Sequence, residues 1–160
     1  MSIYMKCQGI PGSATASKHQ QWIQLLKMQI HMKTPVHTKI GDVTDRVKGR
    51  PVIGDIEIIK VADVSSVNLM EHMLKATVIP SVNIDVCHSG KELTPHEQYQ
   101  LSNVIVSAYS EIQHPISGPP SEWLRLNFTK IEKTHTQFGS DGRAQAPNRT
   151  IFDLAKGQAC

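Results

Sequence analysis

The sequence predicts a mainly β protein, a compact antiparallel β-barrel or sandwich with one short helix. Most periodic segments alternate apolar and polar residues with a period of two, which is typical of strands that bury one face. One stretch, residues 54–90, instead has the pattern strand, helix, strand. The length of 160 residues fits a single domain, 1–160, that buries roughly 68–70% of its unfolded surface. Such a domain forms a core without disulfides or metals.

Seven segments have the alternation or the β-rich composition of strands. They cover residues 3–8, 22–33, 55–61, 82–86, 99–109, 122–134 and 149–154. The alternation is clearest in residues 22–33. There the predicted buried face carries Leu26, Met28, Ile30 and Met32, and the opposite face carries Lys27, Gln29, His31 and Lys33. A helix would need apolar residues spaced by three and four, so this segment is predicted to be a strand.

The single helix is predicted at about residues 65–76. Ser65 or Ser66 provides an N-cap, because a serine hydroxyl accepts a hydrogen bond from the first turn of a helix. The spacing of the apolar residues that follow predicts one buried stripe. That stripe consists of Val67, Met70, Met73 and Leu74.

Two segments lack strand or helix periodicity. Residues 34–54 are predicted to be a long charged loop, in which prolines and glycines lie among acidic and basic side chains. A connection of this length inside a compact domain is usually functional or mobile. Residues 137–148 are polar, contain glycine, and are predicted to be a poorly ordered loop.

Composition excludes several classes of protein. The net charge is +3 and no run of five or six like charges occurs, so a nucleic-acid partner is not expected. The apolar runs are far shorter than the ~18 residues of a membrane span, so membrane insertion is not expected. The N-terminus lacks the basic and apolar regions of a cleaved secretory signal. Three cysteines, Cys7, Cys87 and Cys160, favour free thiols in a reducing cytoplasm.

The motifs of metal, nucleotide and hydrolase sites are missing. The chain has no CxxC, no HExxH, no glycine-rich phosphate loop and no GxSxG elbow. Cys87 and His88 are adjacent on a predicted strand, so their side chains point to opposite faces and do not form a chelate. We therefore expect no metal, no cofactor and no enzymatic activity. A barrel filled by its own side chains is favoured over one with a ligand cavity.

The order of several segments resembles the haemolysin-coregulated protein (Hcp) family, whose members form the inner tube of type VI secretion systems. The resemblance starts with YMKCQGIPG, a polar loop ending in His19, and WIQLLKMQI. It continues through DIEIIKVADVSSVNLMEHMLKATVIPSVNIDVCHSGKE, YQLSNVIVSAYS, LRLNFTKIE and IFDLAKGQ. No single motif is specific, but the ordered set covers nearly the whole chain.

The resemblance implies a hexameric ring. Such rings stack into a hollow tube that a contractile sheath expels, and the tube can carry effectors in its lumen. The implied partners are further copies of the chain, the type VI spike and sheath proteins, and small secreted effectors. The resemblance also implies synthesis in the bacterial cytoplasm and secretion without a cleaved signal. The alternative is a monomeric β-barrel that binds a ligand, or a small hydrolase.

Two sets of site residues follow from this resemblance. The first set, predicted to face the lumen and contact effectors, is Lys27, Gln29 and His31. The alternative is that this face is solvated or lies between subunits, because alternation does not reveal what covers a face. The second set, predicted to mediate stacking of rings, is Asp42, Asp45, Arg46, Lys48 and Arg50. The alternative for these residues is a mobile, solvated loop.

Overall fold

A computed structural model describes residues 1–88, 93–113, 118–140 and 142–159, without the side chains of residues 39 and 42–48. Within the described residues the chain forms eleven strands and one helix. In chain order these are β1 (Ser2–Cys7), β2 (Ile23–Lys33), β3 (Val36–Lys39), β4 (Asp42–Lys48), β5 (Val52–Val61), α1 (Ser66–Leu74), β6 (Ile79–Cys87), β7 (Pro95–Ile112), β8 (Ser121–Asn127), β9 (Lys130–His135), β10 (Asn148–Asp153) and β11 (Gln158–Ala159).

Six strands close an antiparallel barrel in the order β6, β1, β2, β5, β8 and β7. Strand β7 completes the circle because it pairs with both β6 and β8. The first half of β7 also pairs with β9, which continues the sheet outward through β10 and β11. Strands β3 and β4 form a separate two-stranded hairpin. The mainly β barrel and the short helix confirm the fold class that the alternation predicts.

The long strand β7 bends where it changes partners. Asn103 has a φ of 50°, in the left-handed region that asparagine tolerates better than most residues. The pairing with β8 also shifts by one residue between Val106 and Ala108, as in a β-bulge. The Asn103 Nδ2 amide donates to Thr129 Oγ1 at 3.1 Å, which ties the bend to the start of β9. The bend lets one strand serve two parts of the sheet.

The barrel interior is filled by aliphatic side chains with very little aromatic contribution. Each strand contributes alternate residues, as a period of two requires. The buried interior residues include Met5, Ile23, Leu25, Ile56, Ile58, Val82, Ile84, Leu101, Val104, Val106, Leu124 and Leu126. Phe128, which follows β8, is also buried. Segments 82–86, 99–109 and 122–134, which are predicted to be strands, each contribute residues to this core.

The prediction for the first half of β2 is wrong. Leu25 is buried, whereas Leu26 is 59% exposed, because the pairing with β5 shifts by one residue between Leu25 and Lys27. This bulge inverts the alternation, so Ile23 and Leu25 face inward before it and Met28 faces inward after it. A second shift, between Ile30 and Met32, leaves Met32 55% exposed. Two bulges thus remove Leu26 and Met32 from the core.

The helix has the predicted position but buries a different face. Leu69 is fully buried and Met73 packs against the core, four residues apart on one side of α1. Val67 and Leu74 are 74% and 72% exposed, and Met70 is also exposed. The predicted stripe is therefore corrected: only Met73 of its four residues contacts the core. The other three form an apolar strip on the outer side of α1.

The helix ends earlier than predicted, at Leu74, with a turn that contains no glycine. Ala76 has a φ of 49°, and its N–H donates to the carbonyl of Met73. The N–H of Thr77 donates to the carbonyl of His72, which completes a Schellman motif. Glycine is the usual residue at the left-handed position, and its absence hid the helix end from sequence reasoning.

Three predicted segments differ in detail from the structure. Residues 34–54 contain the β3–β4 hairpin and the start of β5 at Val52. The predicted strand 122–134 is interrupted between β8 and β9, where the N–H of Thr129 donates to the carbonyl of Ser102. In 137–148 the described residues form a tight turn with a bridge between Phe138 and Ala144, and residue 141 lies outside the description. Short local pairings of this kind leave little trace in hydrophobic periodicity.

The bulge in β2 predicts unequal effects for two adjacent leucines. Leu25→Ala should lower the free energy of unfolding by about 2–4 kcal/mol, because it removes buried methyl groups and leaves a cavity. Leu26→Ala, at an exposed position, should change it by less than about 1 kcal/mol. Urea unfolding of both variants measures the difference. A larger loss for Leu26→Ala would contradict the placement of the bulge.

Candidate functional site

The predicted lumen residues lie on the outer face of the barrel, within a polar surface spread over β2, β5 and β8. We call this surface the polar face. It comprises Lys27, Gln29, His31, Asp55, Glu57, Trp123, Arg125 and Asn127. Lys27 and His31 are exposed and Gln29 is half-buried. The structure therefore brings the three predicted residues together on one surface, outside the barrel core.

Hydrogen bonds connect the polar face across its strands. Arg125 donates from Nε and Nη2 to Glu57 Oε1 at 3.0 and 2.8 Å, and its guanidinium lies 5.0 Å from the ring centre of Trp123. Asp55 accepts from Asn127 Nδ2 at 2.8 Å. Because the Arg125–Glu57 pair is largely exposed, it contributes about 0–1 kcal/mol to stability. These contacts order the side chains more than they stabilise the fold.

Lys27 is an exposed residue at a shallow depression in the polar face. Lys27 and Gln29, together with Glu57, Ile59 and Trp123, line a shallow depression of about 40 Å³. The Gln29 amide donates to His31 Nε2 at 2.6 Å, so these two side chains already satisfy each other. The formal charges of two basic and two acidic residues cancel on the polar face. It offers hydrogen bonds rather than a strong electrostatic field.

The residues predicted to stack rings lie at the β3–β4 hairpin. Asp42, Asp45, Arg46 and Lys48 belong to β4, and their side chains lie outside the described part of the structure. Arg50 is exposed in the short link between β4 and β5. The hairpin connects β2 to β5, two strands that also carry the polar face. Both sets of predicted residues therefore lie on consecutive strands of the chain, β2 to β5, or in the link between them.

A buried polar cluster, which sequence reasoning missed as a site, holds the loop between β1 and β2 against the barrel. His19 is 2% exposed and its Nε2 lies 3.0 Å from Asp85 Oδ2 on β6. Its ring stacks on Tyr4 with centroids 4.5 Å apart, and the Trp22 ring packs against it edge to face at 4.7 Å. Gln98 Nε2 donates to the other Asp85 oxygen at 3.1 Å. The loop is thereby fixed at its centre.

The same loop requires glycine at its start. A Cβ on Gly12 would lie 2.4 Å from the carbonyl oxygen of Trp22, closer than such atoms approach in proteins. The N–H of Gly12 donates to the carbonyl of Gln21 at 2.7 Å, and the N–H of Ala14 donates to that of Trp22 at 2.9 Å. Gly12 therefore permits the close approach of two backbone segments. This approach brings His19 over the barrel surface.

Cys87, His19 and Asp85 are the residue types of a catalytic triad, but their geometry differs from one. In a triad the histidine contacts the nucleophile through one nitrogen and the carboxylate through the other. Here Nε2 of His19 faces both Asp85, at 3.0 Å, and Cys87 Sγ, at 3.9 Å, while the buried Nδ1 has no partner. Cys87 is buried, and burial raises the pKa of its thiol to about 11. A protonated, buried thiol is a poor nucleophile.

The two described cysteines are too far apart for a disulfide. Cys7 on β1 pairs with Val82 on β6, whereas Cys87 pairs with Ser2. Five positions along a strand correspond to about 17 Å, well beyond the reach of a disulfide. Burial also raises the pKa of the Cys7 thiol to about 12. Both thiols are core residues, in agreement with the expectation of free cysteines.

A second buried polar cluster joins α1 to the barrel. Lys60 of β5 is fully buried, and its Nζ donates to Glu122 Oε2 at 2.6 Å, Asp63 Oδ1 at 3.0 Å and Ser66 Oγ at 3.0 Å. Three acceptors satisfy the three N–H groups of the ammonium. Partial burial acts to raise the pKa of Asp63, but hydrogen bonds from Ser65 and Lys60 outweigh it and the pKa is lowered. Removing one partner of such a pair typically costs about 3–5 kcal/mol.

The concave surfaces of the structure include an apolar groove and a hollow beside α1. An apolar groove of about 570 Å³ lies between the second half of β2, the start of β5 and the strands β9 to β11. Its apolar lining residues include Ile30, Met32, Ile53, Ile131 and Phe152. A second hollow of about 410 Å³ lies beside α1 and contains Tyr109, whose pKa is raised by burial and by the Glu122 carboxylate. In neither do the described side chains form a nucleophile–base pair.

Among the described residues, no group of three or more His, Cys, Asp or Glu side chains is arranged to hold a metal ion. No helix in the described part of the chain is long and apolar enough to cross a bilayer.

The fold and a family model identify the class of protein. The model for "Type VI secretion system effector, Hcp" matches residues 4–135, which is most of the chain. The chain therefore belongs to the Hcp family of the type VI secretion system, whose members are structural, secreted proteins. No curated protein sequence matches the chain at a significant level.

Solved structures agree with this family over the full length. A structure described as a type six secretion system protein has a TM-score of 0.91 at 18% identity, with 99% of each chain covered. Hcp1 from Salmonella typhimurium has a TM-score of 0.81 at 16% identity, covering 99% of this chain and 98% of its own. A type VI secretion system effector from Yersinia pestis has a TM-score of 0.72 at 18% identity, covering 94% and 98%. At these identities the likeness concerns the fold.

Proposed function

We propose that this chain is a tube subunit: six copies form a ring, and rings stack into a hollow tube expelled by a contractile sheath. The observation that carries the proposal is that the chain spans the whole Hcp fold, including the barrel, the helix and the β9–β11 extension. The proposed partners are further copies of the chain, the spike and sheath proteins, and small secreted effectors. The proposed route is synthesis in the bacterial cytoplasm and export by the type VI system, without a cleaved signal peptide.

Two unpaired strand edges support self-assembly. Within the described residues, β2 pairs with β1 only at residues 23–25, so its second half has one edge without a partner strand. Strand β10 pairs with β11 only at Phe152 and Asp153, which leaves its first half similarly unpaired on that side. Both edges border the apolar groove. Open edges beside apolar surface favour association with another chain.

The apolar strip on α1 is a further surface suited to subunit contacts. It consists of Val67, Met70 and Leu74, spaced along one side of the helix. The polar face on β2, β5 and β8 is neutral and forms hydrogen bonds. It therefore suits the wall of a lumen, which contacts water and passing cargo. The chain thus separates surfaces for assembly from a surface for the lumen.

The tube proposal implies that the protein is not an enzyme. The Cys87–His19–Asp85 geometry and the buried, protonated thiol support this view. The competing function, a monomeric ligand-binding barrel or small hydrolase, has a weaker basis, because the barrel interior is filled by aliphatic side chains.

The proposal predicts that the purified protein forms rings. Purified protein imaged by negative-stain electron microscopy with two-dimensional averaging should give six-fold particles with a stain-filled centre. Analytical ultracentrifugation of the same sample should give a mass six times that of the chain. Small monomers over a wide range of concentrations would contradict the proposal and favour the ligand-binding alternative.

Bulky residues on the polar face should reduce cargo retention. Lys27→Trp combined with Gln29→Trp places two large rings where the proposed lumen contacts effectors, so fewer secreted proteins should co-purify with the rings. The rings themselves should persist. Gln24→Trp, at an exposed position near the other end of β2, is the matched control and should retain cargo. Loss of rings in the double variant alone would instead place this face between subunits.

The β3–β4 hairpin is the proposed contact between stacked rings. Deletion of residues 43–48 should leave rings intact but abolish tubes, as judged by electron microscopy.

A companion variant keeps the hairpin and neutralises its charges: Asp42→Asn, Asp45→Asn, Arg46→Gln, Lys48→Gln and Arg50→Gln. Because exposed ion pairs contribute only about 0–1 kcal/mol each, wild-type stacking should weaken with salt. Normal tubes from the deletion variant would show that the hairpin is not a stacking contact.

A further inference from the structure

Three histidines meet at one end of the barrel, where β6, β7 and β9 have adjacent ends. His88 directly follows β6, His96 is the second residue of β7, and His135 is the last residue of β9. The rings of His88 and His96 stack with centroids 4.0 Å apart. The ring of His135 is edge to face with His96 at 6.4 Å, and the ring of Phe138 is edge to face with His88 at 6.5 Å. We call these three histidines the histidine cluster.

The cluster fits neutral imidazoles. Two stacked rings at 4.0 Å attract each other when neutral, and two adjacent positive charges repel. His96 Nδ1 is buried and has no hydrogen-bond partner. In the neutral tautomer that is protonated at Nε2, this nitrogen carries only a lone pair. Protonation of the ring turns it into a buried N–H donor without an acceptor. A buried, unsatisfied donor costs about 1–3 kcal/mol.

The charged groups around His96 do not compensate for a proton on its ring. Positive charge on the imidazoles of His88 and His135 and on the N-terminal amine acts to lower the pKa of His96. Among the described residues, Glu97 is the carboxylate whose charge favours protonation of His96. Its oxygens are already in contact with Lys133 Nζ at 3.1 Å, Tyr99 Oη at 3.1 Å and His135 Nδ1 at 3.6 Å.

We propose that the histidine cluster is an acid-sensitive clasp. At neutral pH its ring contacts join the adjacent ends of β6, β7 and β9, and protonation of His96 weakens these contacts. The inference rests on the contacts within one chain and does not depend on the proposed tube function. It concerns an acid-dependent loosening at the ends of β6, β7 and β9, where β9 attaches the β9–β11 extension to the barrel.

The direction of the pH effect follows from the surroundings of His96. Burial, together with the positive charges of His88, His135 and the N-terminal amine, lowers the pKa of His96 despite Glu97. The unfolded chain therefore binds a proton at this position at a higher pH than the folded chain does. The stability from this group is complete above the unfolded pKa, about 6.5, and is lost as the pH falls below it.

The test compares urea unfolding of wild type, His96→Phe and His37→Phe at about pH 7.5 and pH 5, at one protein concentration. His96→Phe keeps an aromatic ring in the stack but removes its titration. The folding equilibrium constant of wild type should fall on acidification by roughly three- to tenfold more than that of His96→Phe. His37 is exposed on β3, away from the cluster, so His37→Phe should behave as wild type. Other titrating groups are common to all three proteins and cancel.

A second measurement decides the matter even if His96→Phe fails to fold. Nuclear magnetic resonance of wild type labelled at histidine Cε1 gives the titration midpoint of each imidazole. The midpoint of His96 should lie below that of His37. A midpoint at or above that of His37, or a His96→Phe variant with wild-type pH dependence, would overturn the clasp.

Discussion

The closure of the barrel depends on the pairing of β7 with both β6 and β8. An antiparallel sheet stays open unless one strand bonds to both of its ends, and β7 does so through β6 and β8. It also supports β9, so the β9–β11 extension is attached to the same strand that seals the core. The left-handed Asn103 and the neighbouring shift of register allow this change of partners. The interior, the groove and the polar face all follow from that arrangement.

Two buried polar clusters attach the non-sheet segments to this barrel. The His19–Asp85 contact fixes the loop before β2, and the Lys60–Glu122 pair fixes the start of α1. Buried charges cost desolvation energy, so each cluster is stable only when its partners are in place. A hydrophobic contact would tolerate sliding, whereas these contacts define one position. They therefore determine where the loop and the helix lie on the barrel.

The outer surface divides into regions of different chemistry. The polar face on β2, β5 and β8 is neutral and internally hydrogen-bonded, whereas the groove and the outer strip of α1 are apolar. Exposed apolar area is unfavourable for an isolated chain, and association covers it. A tube subunit needs both kinds of surface at once. The histidine cluster lies apart, at the ends of β6, β7 and β9, where acidification acts on the attachment of the extension.

The sequence by itself determined the β-barrel class and the single helix, because alternation and helical spacing are local consequences of burial. It also contained a signal for the buried Lys60. Because Ile56, Ile58 and Lys60 are spaced by two, alternation places all three on the buried face of β5. Only the tertiary structure decided where pairing slips, which placed Leu25 rather than Leu26 in the core. It likewise decided which helix face is buried, and that His19 meets Asp85. Bulges, packing faces and contacts between distant segments depend on partner strands, and no local pattern records them.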